Sequence, residues 1–330
     1  LLTGSDGWTY DTNANNYTIN GYTGYALFKN TGSATSNINN VDITFDKIGT
    51  SAYRTWLFHT DAHNNGSTPS IWNIGDGTTI TMPSTSKYLA MYTSQLHYGN
   101  YNAEFSNTGA INDKGSNNII WIALRENTRN IKRNSTFSNA GNINLNGTNG
   151  IFAYIDTPTT IGAISGSWDK DGVTESVGNG SSGSTSNGWK ITNTGDLNLS
   201  GNNNTGIFIN NRWRYHTAEI KLDKEMTISG TENTGIYFKG WTSLDGKDTN
   251  GAPSTFYNGN AGTTSANASV LNMKIIGTKS TGIYFDYNGT DTSNDNRDKF
   301  NLTGTSTLES TGGGAGLGNI LIYNKAGVVK

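Results

Sequence analysis

His59-Thr60-Asp61-Ala62-His63 brings two imidazoles and a carboxylate within five residues, the donor types that hold divalent transition metals. A fourth ligand is missing and the segment runs into Asn64-Asn65-Gly66, so a polar loop tip accounts for it better. Asp169-Lys170-Asp171-Gly172 with Glu175 carries half of a calcium-loop pattern, but Val, Thr and Ser occupy the remaining ligand positions and leave a solvated turn. Asp291, Asp295 and Asp298, with Arg297 among them, have the residue types of a polysaccharide-cleaving acid–base pair. In β-helical lyases and hydrolases such groups sit at defined separations on adjacent coils, whereas these carboxylates share one Asn- and Ser-rich loop. Neither a Gly-x-Ser-x-Gly elbow nor a phosphate-cradling Gly-rich loop followed by Lys and Ser or Thr occurs. The chain is therefore read as a non-enzyme, with no metal site and no cofactor.

Binding chemistry is better represented. Arg212-Trp213-Arg214-Tyr215-His216 directly follows an apolar strand and gathers two guanidinium forks and two aromatic rings at one corner. Arg, Trp and Tyr dominate binding hot spots, and ring faces and planar forks suit sugars and carboxylates. Strand alternation would equally let Trp213 and Tyr215 continue an interior column. Arg125 and Arg129, with Lys132 and Arg133, form a basic run after Trp121-Ile122, for which a solvated loop is the plainer reading. Trp72, Trp168, Trp189 and Trp241 stand in or beside polar stretches, where each must pack the loop down or meet a ligand. Trp168 and Trp241 are retained with the two Arg groups as candidate contacts.

The composition narrows what scaffold positions these residues. Of 330 residues 42 are Gly and only 4 are Pro, charged residues make up 15%, and the formal net charge is −2. So small a charge attracts neither nucleic acid nor an anionic membrane surface. Gly, Asn, Ser and Thr favour turns over helices, while an aromatic share of 11% supplies apolar mass for a core. Cysteine is absent, so no disulfide or thiolate site contributes, which in a surface protein favours a bacterial origin. No apolar run is long enough to span a membrane, and Leu1 opens the chain without a basic and apolar leader. A processed piece of a larger secreted protein is expected.

One design recurs along the chain. Ile143 to Ile155, Leu197 to Ile209, Met226 to Phe238 and Met273 to Phe285 each join an alternating strand to a Gly turn and then to Gly-Ile-aromatic. With Gly150, Gly206, Gly235 and Gly282 aligned, and Asn319 in the Gly place of a weaker copy ending at Tyr323, the spacings are 56, 29, 47 and 37 residues. Fainter copies reach back to Tyr25-Ala26-Leu27-Phe28, giving about eight rungs, less regular over 1–142 and more regular over 143–330. Two short strands and one corner make the expected unit. The uneven spacing places insertions at His59 to Gly77, at about 156–188 and at about 240–267.

A two-strand unit cannot bury its own apolar side chains, so stacking is required, with Ile on Ile and aromatic on aromatic in an interior column. Gly makes the tight corner, and Asn there can ladder through its amide. An all-β, right-handed parallel β-helix with loop insertions is the expected fold. The Asn/Thr-Gly-Ile-Tyr/Phe set behind Leu-x-Leu or Ile-x-Ile, in an Asn-rich, Cys-free chain, resembles the passengers of large fusobacterial autotransporter adhesins of the RadD-like type Va group. The likeness is one of repeat style, strongest from Ile143 to Tyr323. It implies a passenger exported through its own C-terminal barrel and displayed on the outer membrane to attach to host receptors, glycans or other bacteria. A β-helical polysaccharide hydrolase or lyase, or a ligand-free stalk, stay open as alternatives.

Overall fold

Segments as short as Asn142–Leu145 (NINL) alternate polar and apolar residues, and their apolar side chains are buried only when a like segment lies above and below. The computed structural model describes residues 8–11, 16–19, 26–31, 35–46, 55–62, 69–96, 101–125, 133–156, 187–210, 216–239, 265–286, 299–302, 304–311, 318–324 and 328–329. These residues are all β, without helix, and stack as a parallel β-helix. A broad sheet holds seventeen of the described strands and a narrow sheet nine. Every described pairing is parallel except the first, where Trp8–Asp11 lies antiparallel to Asn16–Ile19.

Each coil contributes three strand segments rather than the expected two. Tyr101–Asn107 and Ala110–Asp113 enter the broad sheet and Ile119–Arg125 the narrow one. Arg133–Asn139, Asn142–Leu145 and Ile151–Asp156 repeat this order one rung on. In later coils the two broad-sheet segments fuse into His216–Ile228 and Ser265–Ile275. The added segment corrects one expected insertion: Ser70–Ile74 is a strand paired with Tyr101–Asn107, so His59 to Gly77 is largely coil, not loop.

Several inward columns fill the space between the sheets, three of which show the pattern. Trp72, Phe105, Phe137, Ile191 and Ile220 stack along one ladder of the broad sheet. Ile80, Ile111, Ile143, Leu197, Met226 and Met273 stack along the other. Trp121, Ala153, Ile207, Ile236 and Ile283 face them from the narrow sheet. All are buried. Full burial of one such aliphatic or aromatic side chain contributes about 1.5–3 kcal/mol, and each coil adds at least three.

The register also corrects the motif alignment. Ile151 lies beside Thr205 and Ala153 beside Ile207, so Gly150 stacks on Asn204, and the coil length is 54, not 56. Ile320 lies beside Thr281, so Asn319 stacks on Ser280, Leu321 takes the place of Gly282, and the last coil is 39 residues.

Two corners are held by amides and close backbone approach. At the first, Asn107, Asn139 and Asn193 form a buried ladder: Asn107 and Asn139 each donate Nδ2 to the next Oδ1 at 2.7 Å, and all three donate to a glycine carbonyl two residues on. At the second, the Asn204 backbone N–H donates to Asn233 Oδ1 at 2.7 Å, and Asn233 Nδ2 returns bonds to the Leu199 and Gly201 carbonyls of the neighbouring coil. Beside this ladder run Asn117, Asn149, Asn203, Glu232, Lys279 and Gly318, all with left-handed backbone at φ between 50 and 64°. Gly201 sits where two coils come very close: a Cβ there would stand 1.8 Å from the Gly147 carbonyl oxygen. Gly201→Ala is therefore expected to destabilise the chain by about 1–3 kcal/mol through overpacking. Asn233→Ala should cost a similar amount by orphaning buried backbone groups. Chemical denaturation of both variants beside the parent chain measures each loss.

Candidate binding surface

Coil lengths vary because of one corner. Eight positions separate Ile111 from Ile119, Ile143 from Ile151, Leu197 from Thr205, Met226 from Thr234 and Met273 from Thr281. Yet successive coils are 32, 54, 29 and 47 residues long. Nearly all of the extra length enters after the chain leaves the narrow sheet. Leu124, Asp156, Asn210, Lys239 and Asp286 mark those exits and lie in register on adjacent rungs. Neighbouring strands in a sheet lie about 4.8 Å apart, so the exits form one short row.

The candidate contacts follow from that row. Arg125 ends the strand Ile119–Arg125, in register with Leu96, and Arg129 belongs to the connection after it. Trp168 belongs to the connection after Asp156, Arg212, Trp213, Arg214 and Tyr215 to the one after Asn210, and Trp241 to the one after Lys239. His216 opens the next strand, beside Asn187. Arg129, Trp168, Arg212 to Tyr215 and Trp241 lie outside the described residues, as do Asp169, Asp171, Glu175, Asp291, Asp295, Arg297 and Asp298. Chain connectivity thus brings the points of departure of all these groups to a single edge.

The other two tryptophans are packing residues. Trp72 is buried in the core with its ring 4.9 Å from that of Phe58, and Trp189 is buried in the same cluster. The expected loop tip at His59 is corrected as well. His59 and Asp61 belong to the strand Thr55–Ala62, the His59 side chain is buried, and Thr60 meets the Tyr92 hydroxyl at 3.1 Å. His63 lies outside the described residues. Among the described residues no three His, Cys, Asp or Glu side chains gather as metal ligands would.

Three of the four motif aromatics, Phe208, Tyr237 and Tyr284, lie on the face opposite the one expected, whereas Phe152 is buried in the core against Phe137 as expected. Ile207 and Ile209 point into the core, so Phe208 between them points away from it, and Tyr154, Tyr237 and Tyr284 do the same. They form a second buried cluster with Ile122, whose rings stack from Tyr154 to Phe208, Tyr237, Tyr284 and Tyr323 at centroid spacings of 4.8–5.2 Å. This column runs two residues before the row of exits. Tyr237 donates its hydroxyl proton to Asp286 at the exit of the next coil, 3.2 Å away. Exposure grows toward the C-terminal end of the column, from buried Tyr154 to Tyr323 at 39%.

Compared with known protein families, curated proteins and solved structures, the chain matches none.

Because the outward column is buried, Phe208→Ala is expected to cost about 3–5 kcal/mol, as for a core aromatic; a loss under 1 kcal/mol in a denaturant titration would mark Phe208 as a surface residue. On the inward side, burial raises the Tyr92 phenol above its ordinary range, and Glu104 adds to this against the opposing Thr60 bond. The unfolded chain therefore loses this proton first. Stability is expected to fall as pH rises above about 10, by up to about 1.4 kcal/mol per unit from this group, and Tyr92→Phe should flatten that decline in melts between pH 9 and 11.

Proposed function

We propose that the chain is a segment of a bacterial surface adhesin, a β-helical passenger that holds a ligand-binding edge away from the cell. The observation that carries this reading is the in-register row of exits, from which connections of very different length leave a scaffold that is otherwise constant from coil to coil. A stalk needs rigidity alone and gains nothing from long connections gathered on one edge. A binding protein gains a surface whose chemistry varies from rung to rung while the rungs stay fixed. The residue types support the same reading: Arg125 and Arg129, Trp168, Arg212 to His216 and Trp241 belong to four successive departures from that edge. Arg, Trp and Tyr are the residues by which glycans and receptor ectodomains are held. The resemblance in repeat style to fusobacterial type Va adhesin passengers points to the outer surface of the cell and to host or partner-bacterium ligands.

The test is an array of glycans and receptor ectodomains probed with the chain. Binding to at least one ligand is expected, and replacing Arg212, Trp213 and Tyr215 by Ala should weaken it about thirtyfold or more, the effect of losing a hot spot of about 2 kcal/mol. A chain that binds nothing on arrays of bacterial and host surface components would refute the adhesin reading.

A further inference from the structure

One interface inside the stack is joined differently from its neighbours. It lies between the coil of His216–Ile228 and Thr234–Lys239 and the coil of Ser265–Ile275 and Thr281–Asp286. The buried amide ladder of the first corner ends at Asn193, and the positions that follow it in register are Leu222 and Leu271. At the second corner Asn204 and Asn233 each donate Nδ2 to two carbonyls of the preceding coil, and Asn319 donates to the Gly277 carbonyl of the coil before it. Ser280 stands in that place between them. Its hydroxyl donates to the Thr278 carbonyl within its own coil and accepts from the Asn233 backbone N–H. Pairing changes at the same interface. His216–Ile228 and Ser265–Ile275 shift register twice: Ser269 is extra on one strand, and Asp223 to Glu225 face the single residue Asn272 on the other. The parallel pairings on either side keep one offset throughout.

We propose that this interface is a built-in parting plane, at which the coils from Tyr101 onward separate first. Apolar columns still cross it, with Met226 beside Met273, Ile236 beside Ile283 and the Phe238 and Phe285 rings 4.9 Å apart. Backbone bonds also continue, among them the Gly277 N–H to the Ile228 carbonyl at 3.0 Å. The directional side-chain bonds are what has thinned. Tyr237 to Asp286 and Thr231 to Thr278 both span 3.2 Å, beyond the roughly 2.5–3.0 Å of a good hydroxyl bond. The bond from Asn272 Nδ2 to the Asp223 carbonyl is solvent-exposed, and Lys279 stands 3.8 Å from Glu232 with both side chains more than half exposed, a geometry that contributes little. In a stack of like units stability is a sum of unit and nearest-neighbour contributions, so an interface that lacks its amide bridges opens ahead of those that have them. A pull on the chain then releases the coils from Ser265 on, while the exits at Asp156, Asn210 and Lys239 keep their register.

Native-state hydrogen exchange read by mass spectrometry, at guanidinium concentrations below global unfolding, tests this directly. The amides of 265–286 and 299–324 are expected to become exposed in one step, ahead of those of 187–239. Ser280→Asn, which returns an amide to the plane, should slow that step about fivefold, the effect of one net hydrogen bond, and leave exchange over 187–239 as in the parent. Asn233→Ser, the converse change, should bring 216–239 into the early step. A single opening shared by all these strands overturns the proposal. So does coil-by-coil opening in which 299–324 precede 265–286, the pattern of fraying from one end. Early exchange of 265–286 that neither substitution alters, in variants with the parent's circular dichroism, overturns it as well. None of these outcomes depends on whether the chain binds a glycan or receptor.

Discussion

Register between coils is the constraint on which the rest of the molecule depends. A one-residue slip of any rung would turn Ile207 outward and Phe208 inward, and would move Asn204 off the backbone N–H that it caps. The apolar columns alone cannot forbid a slip, because both faces of the narrow sheet are apolar and buried. The corners forbid it. Asn139 bonds Asn107 and Asn193 at once, Asn204 reaches the Leu145 and Gly147 carbonyls, and the tight approach of Gly201 to Gly147 admits no side chain. Directional polar contacts therefore set the stagger, and non-directional burial supplies most of the stability.

The left-handed corner shows how far this constraint outweighs local preference. Asn is at ease with positive φ, and Gly318 more so, but Glu232 and Lys279 are not. Each non-ideal residue costs on the order of 1 kcal/mol. It is tolerated because the coil on either side fixes its neighbours through backbone bonds, Glu232 N to the Thr278 carbonyl among them. In a solenoid each corner is templated by the one beside it, so a strained residue can be carried by a run of compliant ones.

The β-helix was legible in the sequence because its apolar columns recur as alternating pairs such as Leu197 and Leu199, a signal that survives uneven spacing. The third strand of each coil was harder to see. Its segments, Tyr101–Asn107 and Asn187–Asn193 among them, mix Ser, Asn and Thr with single apolar residues. The signal lay in their ends: Asn107-Thr108-Gly109, Asn139-Ala140-Gly141 and Asn193-Thr194-Gly195 repeat an Asn-x-Gly turn that the buried amide ladder explains. The direction of Phe208, Tyr237 and Tyr284, though not of Phe152, was misjudged for a related reason. Aromatic residues suggest a core, but in a strand the position after an inward Ile faces outward whatever its type. Of the candidate contacts, residue type and proximity to a strand end were readable. That their departures share one edge was not, since this follows only from pairing partners up to 54 residues apart.

Why length variation gathers at that edge follows from the same balance of forces. The corner after the first broad-sheet strand buries an amide ladder and the next corner holds a backbone contact too tight for any Cβ, so neither accepts an extra residue without breaking bonds to two neighbouring coils. The exit from the narrow sheet carries no such ladder among the described residues. There, closing a 54-residue coil rather than a 29-residue one costs only about 0.6 kcal/mol of extra loop entropy, less than the burial of a single column residue contributes. Length change at this edge is thus nearly free of consequence for folding, whereas at the other two corners it is not. A surface that must alter what it touches while keeping its support intact would place its contacts there.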